Sequence, residues 1–233
     1  MCGRVNVSSG PLTLLFMDMV GQPYPDADRH NVAPTLELPV IRATDTGRLD
    51  AATMRWWLTP WWSNEVSTRY SMFNAKAETL TTSRAFKEPF ARRRCLVPVA
   101  GFYEWLKDGE RRLPYYIRPH ADDGLLLAGV WDRWRNRDDG VILESFAVVT
   151  TAVHDRLAFV HSRQPAMLSR AEGRRWVGAA EEPSRLQDEL LVPRLPVPLS
   201  VIPVTTYVNN ARNEGPRCIE PIGKTIEIAA EAA

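Results

Sequence analysis

The chain has 233 residues, 45% of them hydrophobic and 24% charged, which is typical of globular proteins and unlike disordered, collagenous or coiled-coil chains. A formal net charge of +1 excludes a strongly basic protein that coats nucleic acid through bulk electrostatics, but leaves room for a local basic groove. No segment reaches the roughly 18 consecutive apolar residues of a membrane helix, and the 3 cysteines are too widely spaced for a zinc site or a disulfide framework.

Short segments rich in β-branched and aromatic residues predict strands along most of the chain. These segments are 37–42, 53–58, 95–99, 102–106, 114–118, 125–131, 145–151 and 200–204. Between the fourth and fifth, the sequence Lys107-Asp108-Gly109-Glu110 predicts a hairpin, because Asp-Gly tolerates the positive φ of a tight turn.

Four segments predict helices, since each begins at a Ser or Thr that can cap a helix N-terminus: 83–93, 151–160, 169–178 and 184–191. Ser169 and Glu172 also have the spacing of a capping box. Strand exceeds helix and no regular strand-helix alternation is present, so the sequence predicts an α+β fold on a curved antiparallel sheet. We expect one domain over 1–227, followed by a tail at 228–233 that frays.

Cys2 is the first candidate for chemistry. Removal of Met1 would leave a cysteine with a free α-amine, and both the amine and the thiol of such a residue titrate close to neutral pH. An aldehyde is the matching electrophile, because the amine forms an imine and the thiol then closes a five-membered thiazolidine ring. The simpler alternative is that position 2 holds Cys by chance.

Three further segments contain candidate polar residues. Glu104 lies between large aromatic side chains in a predicted strand, where desolvation would raise its pKa and suit it to proton transfer, unless it points to solvent. His161 follows the apolar run of the predicted helix 151–160 and is either a catalyst or an ordinary hydrogen-bonded residue. Asn74 offers an amide that could orient an amine or a terminal carbonyl, or it is simply a turn residue.

In combination, these segments resemble a known family. The order Met1-Cys2-Gly3-Arg4, Asn74-Ala-Lys-Ala-Glu78, Gly101-Phe-Tyr-Glu-Trp105 and His161-Ser-Arg-Gln-Pro165 is similar to that of the SOS response-associated peptidase family, whose members process abasic sites in DNA. The resemblance continues through Asn31-Val-Ala-Pro34, Ala128-Gly-Val-Trp131, Ala147-Val-Val-Thr-Thr151 and Val208-Asn209. It implies a single α+β domain with a distorted, barrel-like, mainly antiparallel sheet and flanking helices.

The resemblance also implies roles for particular residues. Cys2 would bond covalently to the ring-opened sugar aldehyde of an abasic site, and Asn74 would hold the N-terminal amine. Glu104 and His161 would be the proton-transfer pair. The residues that would contact DNA phosphates are Arg4, Lys76, Arg84 and Arg163, and the run 92–94 is a further candidate unless it is a solvated helix end.

Two positions depart from the family pattern. Lys76 stands where Arg is usual, which would replace a bidentate phosphate fork with a point charge. Gln164 stands where Met is common, with no evident effect.

The leading hypothesis is therefore an abasic-site processing protein that traps abasic sites in single-stranded DNA as a thiazolidine at Cys2, with accompanying peptidase and abasic-site lyase activity. The alternative is a cysteine peptidase that uses Cys2 as its nucleophile, with His161 or Glu104 as the base. A third reading is a DNA-binding module without chemistry. We expect a monomer without a cofactor, metal or membrane association, located in the cytoplasm and associated with the nucleoid in a bacterium.

Overall fold

The computed structural model describes residues 2–178 and 181–231. The strands are β1 Val5–Val7, β2 Arg29–Val32, β3 Glu37–Ala43, β4 Leu49–Trp56, β5 Asn74–Lys76, β6 Arg94–Val99, β7 Gly101–Asp108, β8 Arg111–Pro119, β9 Leu125–Arg135, β10 Ile142–Ala152, β11 Arg163–Pro165, β12 Met167–Leu168, β13 Leu199–Pro203 and β14 Ile226–Ile228. The helices are α1 Ser9–Val20, α2 Lys87–Arg92, α3 Arg170–Val177 and α4 Pro183–Leu190. None of the helices in the described ranges is long and apolar enough to cross a membrane.

The strands form two sheets. One has six strands in the order β14-β13-β8-β7-β1-β2. In the other, β10, β4, β3, β6 and β9 follow one another, and pairing of β9 with β10 closes them into a barrel. The pairing of β10 with β4 is parallel, whereas β3, β6 and β9 pair antiparallel. The predicted α+β class and barrel-like sheet are confirmed.

All eight predicted strands form, and the predicted hairpin is β7–β8. Asp108 pairs with Arg111, so that Gly109 and Glu110 make the turn, and Gly109 has the positive φ of 61° that the turn needs. Close packing limits the start of β7: a Cβ added to Gly101 would lie 2.7 Å from the backbone oxygen of Ile117.

Of the four predicted helices, two form, one is shorter than predicted and one is absent. The capping box at Ser169 and Glu172 forms at the start of α3, and 184–191 corresponds to α4. The helix predicted at 83–93 is shorter in the structure and corresponds to α2. Pro89 lies in the first turn of α2, where the missing backbone N–H costs little. The prediction of a helix at 151–160 was wrong: this segment contains the end of β10 and a single 3-10 turn at Asp155–Leu157. Helix α1, which buries Leu12, Leu15, Phe16 and Met19, was not predicted.

The C-terminal segment is held against the preceding chain as far as it is described. Ile228 ends β14 beside Leu199, and the carboxylate of Glu231 lies 2.7 Å from Nε2 of His154. The backbone N–H of Glu231 also donates to the carbonyl of Leu195 at 3.1 Å. Residues 232–233 of the expected frayed tail lie outside the described residues.

Candidate active site

The barrel and the six-stranded sheet bring Cys2 and Asn74 together. Cys2 precedes β1 and is completely buried. Asn74 begins β5, which pairs in parallel with β10 at Val148. Its Nδ2 donates a 2.8 Å hydrogen bond to the carbonyl oxygen of Cys2. The other amide atom, Oδ1, is buried and has no hydrogen-bond partner among the described residues. The amide therefore fixes the Cys2 backbone and keeps one acceptor available.

Glu104 lies on β7, opposite Tyr115 of β8, and only 3% of it is exposed. This burial raises the pKa of Glu104 to about 7, which gives the carboxyl the proton affinity of a general base near neutral pH. Burial raises the pKa of the Cys2 thiol as well, and the negative charge of Glu104 raises it further. The thiol is therefore protonated near neutral pH and needs a base to become nucleophilic.

His161 lies in the loop between the 3-10 turn and β11. Its Nδ1 lies 3.0 Å from the backbone nitrogen and 3.2 Å from the carbonyl oxygen of Arg163, so the backbone of Arg163 fixes the orientation of the ring. Burial, assisted by the nearby charges of Lys107 and Arg163, lowers the pKa of His161, so the ring is neutral at pH 7. His161 and Glu104 line the same small cavity, so the fold brings the sequence-predicted pair together.

Two of the four predicted DNA-contacting cations interact with other side chains. Arg163 donates to both carboxylate oxygens of Glu78 and, at 2.6 Å, to the carbonyl of Thr150. Arg4 donates to Oδ1 of Asn31 at 2.6 Å and to the carbonyl of Val208 at 3.0 Å. Both guanidinium groups are thus held in fixed positions.

The other two cations face outward. Lys76 is exposed at the end of β5. The guanidinium carbon of Arg84 lies 4.2 Å from the ring centroid of Trp62, which orients the arginine by a cation–π contact. A phosphate could reach either side chain without breaking a salt bridge in the described structure.

The arginine run 92–94 is structural for most of its length. Arg94 is buried and donates to the carbonyls of Phe90, Trp176 and Gly178, which ties the ends of α2 and α3 together. Arg93 pairs with Asp132 at 3.1 Å. Arg92 alone of the three is exposed.

Sequence reasoning missed the organising role of Asn31. This side chain is 2% exposed, accepts from Arg4, and donates to the carbonyls of Asn210 and Asn213 at 3.0 and 2.8 Å. It joins β2, and through Arg4 the start of β1, to the segment 208–213. In that segment, Oδ1 of Asn209 accepts a hydrogen bond from Nε1 of Trp105. The only sequence signal was its place within Asn31-Val-Ala-Pro34, a stretch that carries no chemical pattern of its own.

With this geometry established, comparison with known proteins identifies the family. Residues 1–211 match the SOS response associated peptidase (SRAP) family, and the chain belongs to it. It is 30% identical over 226 residues to the abasic site processing protein YoqW of Bacillus subtilis, covering 94% of this chain and 99% of that protein. It is 29% identical to the abasic site processing protein HMCES of Gallus gallus, covering 88% of this chain and 70% of that protein.

Solved structures agree on the fold. A crystal structure of a protein from Bacteroides thetaiotaomicron superposes with a TM-score of 0.82 at 22% sequence identity, covering 94% of this chain and 99% of that one. The chain is therefore a member of an abasic-site processing, DNA-acting family with that architecture.

Proposed function

We propose that this protein captures abasic sites in single-stranded DNA as a covalent thiazolidine at Cys2, with Asn74, Glu104 and His161 as the groups that position and move protons. The observation that carries the proposal is the arrangement around Cys2. Its carbonyl accepts a hydrogen bond from Nδ2 of Asn74, and Oδ1 of the same amide is left as an acceptor. The negative charge of Glu104 is near enough to raise the pKa of the thiol.

The chemistry requires a free α-amine on Cys2, and hence cleavage of the peptide bond that precedes it. The amine adds to the aldehyde of the ring-opened sugar, and loss of water gives an imine. The thiol sulfur then bonds to the imine carbon while the nitrogen takes up a proton, which closes the ring. Oδ1 of Asn74 is suited to accept one N–H of the amine and to hold its lone pair toward the aldehyde.

Glu104 supplies the base for the second step. A carboxylate with a pKa of about 7 is ionised in about half of the molecules at neutral pH and can accept the thiol proton as sulfur attacks. His161 has a complementary role in the tautomer whose neutral ring carries the proton on Nε2. It would donate a hydrogen bond to the sugar oxygen as the ring opens.

The burial of Cys2 also favours an unpaired strand as substrate. The sugar must leave the stack and enter the protein before its aldehyde meets the amine. A single strand does this without breaking base pairs, whereas a duplex loses a few kcal/mol in unpairing and unstacking.

Peptide hydrolysis by Cys2 is the less favoured alternative. It needs a nucleophilic thiolate in its first step, and burial holds the pKa of the thiol high. Thiazolidine formation begins at the amine, so a protonated thiol does not prevent the first step.

The test is incubation with a single-stranded abasic oligonucleotide, followed by intact-protein mass measurement under denaturing conditions. We expect the mass of protein plus oligonucleotide less one water for the form with Cys2 at its N-terminus, and no such adduct for a form that retains residue 1. Cys218→Ala, which removes another buried free thiol, is the matched control and should react as wild type does. An equally stable adduct with residue 1 present would exclude the thiazolidine.

Variants separate bond formation from proton transfer. Glu104→Gln and His161→Ala should slow adduct formation by roughly 10²- to 10⁴-fold without abolishing it. Cys2→Ala retains an N-terminal amine, so it should form an imine that promotes strand scission and leaves no stable adduct. A stable cross-link at full rate with Cys2→Ala would show that another nucleophile carries the reaction.

A further inference from the structure

An open groove of about 540 Å³ lies beside His161. Trp105 and Lys107 of β7 line one side, and Val153, Phe159 and His161 line the other. Its volume falls within the range of roughly 300 to 1,000 Å³ that is typical of small-molecule sites. Since His161 also lines the cavity that contains Glu104, the groove adjoins the proposed reaction centre.

The indole of Trp105 is held in place at this groove. Its Nε1 donates a 2.7 Å hydrogen bond to Oδ1 of Asn209. The ring lies 6.4 Å from that of Tyr103, and the guanidinium carbon of Arg4 lies 5.8 Å from its centroid. A ring fixed from several sides offers a flat contact at little cost in side-chain entropy.

Phe159 provides the second aromatic surface. It is 40% exposed although it is a large apolar side chain, and its ring packs edge to face against Tyr115 at 5.9 Å and 89°. Packing of this kind fixes the ring while leaving part of it open to a ligand.

Charge identifies the class of ligand. Lys107 is exposed at the groove, and its positive charge helps to lower the pKa of His161. In the β7–β8 hairpin it lies opposite a second cation, Arg112. Among the described residues, those that line the groove include no Asp or Glu. Aromatic surfaces combined with a cation are the combination that binds single-stranded nucleic acid, in which bases stack and phosphates meet positive charge.

We infer that this groove binds the nucleobase of the nucleotide next to the abasic one, stacked against Phe159 or Trp105, with Lys107 at its phosphate. The inference rests on the proposed function, because an abasic sugar at Cys2 places its neighbouring nucleotide close to His161. The abasic nucleotide itself has no base to contact. The groove then explains how the protein still gains affinity for the DNA, because it binds the base of a neighbouring nucleotide. An apolar peptide side chain fits the cation less well.

The test measures equilibrium binding by fluorescence anisotropy, using oligonucleotides that carry a tetrahydrofuran in place of the abasic sugar, so that no adduct forms. One oligonucleotide has normal bases on both sides of the tetrahydrofuran. The other two replace either the 5′ or the 3′ neighbour with a second tetrahydrofuran. Wild type should lose about 5- to 150-fold in affinity when the base on one particular side is removed, and much less when the other is removed.

Variants assign that loss to the groove. Phe159→Ala should bind the normal oligonucleotide more weakly and lose little more when the same base is removed. Phe159→Tyr keeps an aromatic face and should behave as wild type, whereas Phe159→Leu should resemble Phe159→Ala. The Tyr and Leu pair keeps the comparison decisive if Phe159→Ala fails to fold. Leu14→Ala, another exposed apolar residue outside the groove, is the control and should change nothing.

Equal losses for wild type and Phe159→Leu on removal of either neighbouring base would overturn the inference. So would slower peptide hydrolysis by Phe159→Leu with unchanged DNA binding, because the groove would then be a peptide subsite. Adduct formation by the wild-type form with a free Cys2 amine, measured on a genuine abasic oligonucleotide, separates the two proposals. An adduct without base coupling removes only the groove, and no adduct at all removes the proposed function with it.

Discussion

Burial of Glu104 gives a stability prediction that does not depend on DNA. Its pKa rises from 4.5 to about 7 on folding. Between these values the folded state binds more protons than the unfolded state, so the free energy of unfolding falls as pH rises. A shift of 2 to 3 units at about 1.4 kcal/mol per unit amounts to about 3 kcal/mol. The full cost applies above the folded pKa, where the buried carboxyl is ionised.

The perturbation is Glu104→Gln, which keeps the shape and removes the titration. Relative to wild type, the variant should gain stability as pH is raised from about 5 to about 8, by up to about 3 kcal/mol. Urea unfolding at several pH values, followed by tryptophan fluorescence, measures this difference. The site thus gives up stability for a base that the proposed chemistry uses.

Glu144→Gln is the control, because its pH dependence should have the opposite sign. Burial opposes ionisation of Glu144, but hydrogen bonds from Arg42 and Arg133 outweigh it and lower its pKa. Its stabilisation is present above its unfolded pKa and is lost as pH falls through the folded value. Glu144→Gln should therefore be less stable than wild type near neutral pH and approach it in acid. Parallel pH profiles for wild type and Glu104→Gln would refute the reasoning about burial.

Other expected outcomes concern packing and binding. Arg94→Met should lower the free energy of unfolding by about 3 kcal/mol, since it strands buried helix-end carbonyls, whereas Arg92→Met should change it by less than about 0.5 kcal/mol in chemical denaturation. Gly101→Ala should cost about 1 to 3 kcal/mol because its Cβ meets backbone, while Gly10→Ala in α1 meets nothing within 4 Å and should add about 0.4 to 1 kcal/mol, both measured by thermal unfolding. Arg84→Ala should weaken single-strand binding equally for all sequences and reduce the slope of log affinity against log salt by about 1, and a sequence-dependent loss in anisotropy titrations would contradict a phosphate contact.

Local signals predicted much of the sheet. The β7–β8 hairpin follows from Asp-Gly between two apolar runs, and the start of α3 follows from the spacing of Ser169 and Glu172. In both cases the deciding contacts lie within a few residues of each other, so the sequence contains them directly.

Long-range pairing explains what the sequence did not reveal. The segment 151–160 begins with Thr151, which pairs with Gln164 in β11, and this ladder prevents the helix that its cap residue suggested. Barrel closure depends on the parallel pairing of Ser145 with Arg55, two residues 90 positions apart, and no local pattern encodes it.

The candidate site was likewise predictable from the sequence only in part. The chemical character of Cys2 and Glu104 could be argued from residue type and neighbours, and the resemblance to a family placed them together. The hydrogen bonds of Asn31, Arg4 and Arg163 could not be anticipated, because they depend on segments brought close only by the sheets.

The complete burial of Cys2 in the folded protein limits the period during biosynthesis in which this residue is accessible. Asn74, which bonds to the carbonyl of Cys2, lies on β5, and β5 pairs with β10, so a nascent chain cannot complete this enclosure until the ribosome has passed residue 152. At about 5 to 20 residues per second, synthesis to that point takes on the order of 10 to 30 s. The removal of residue 1 that the proposed function requires would therefore take place mainly while the chain is still being made. Once the barrel closes, the fold protects the residue from proteases and from oxidants alike.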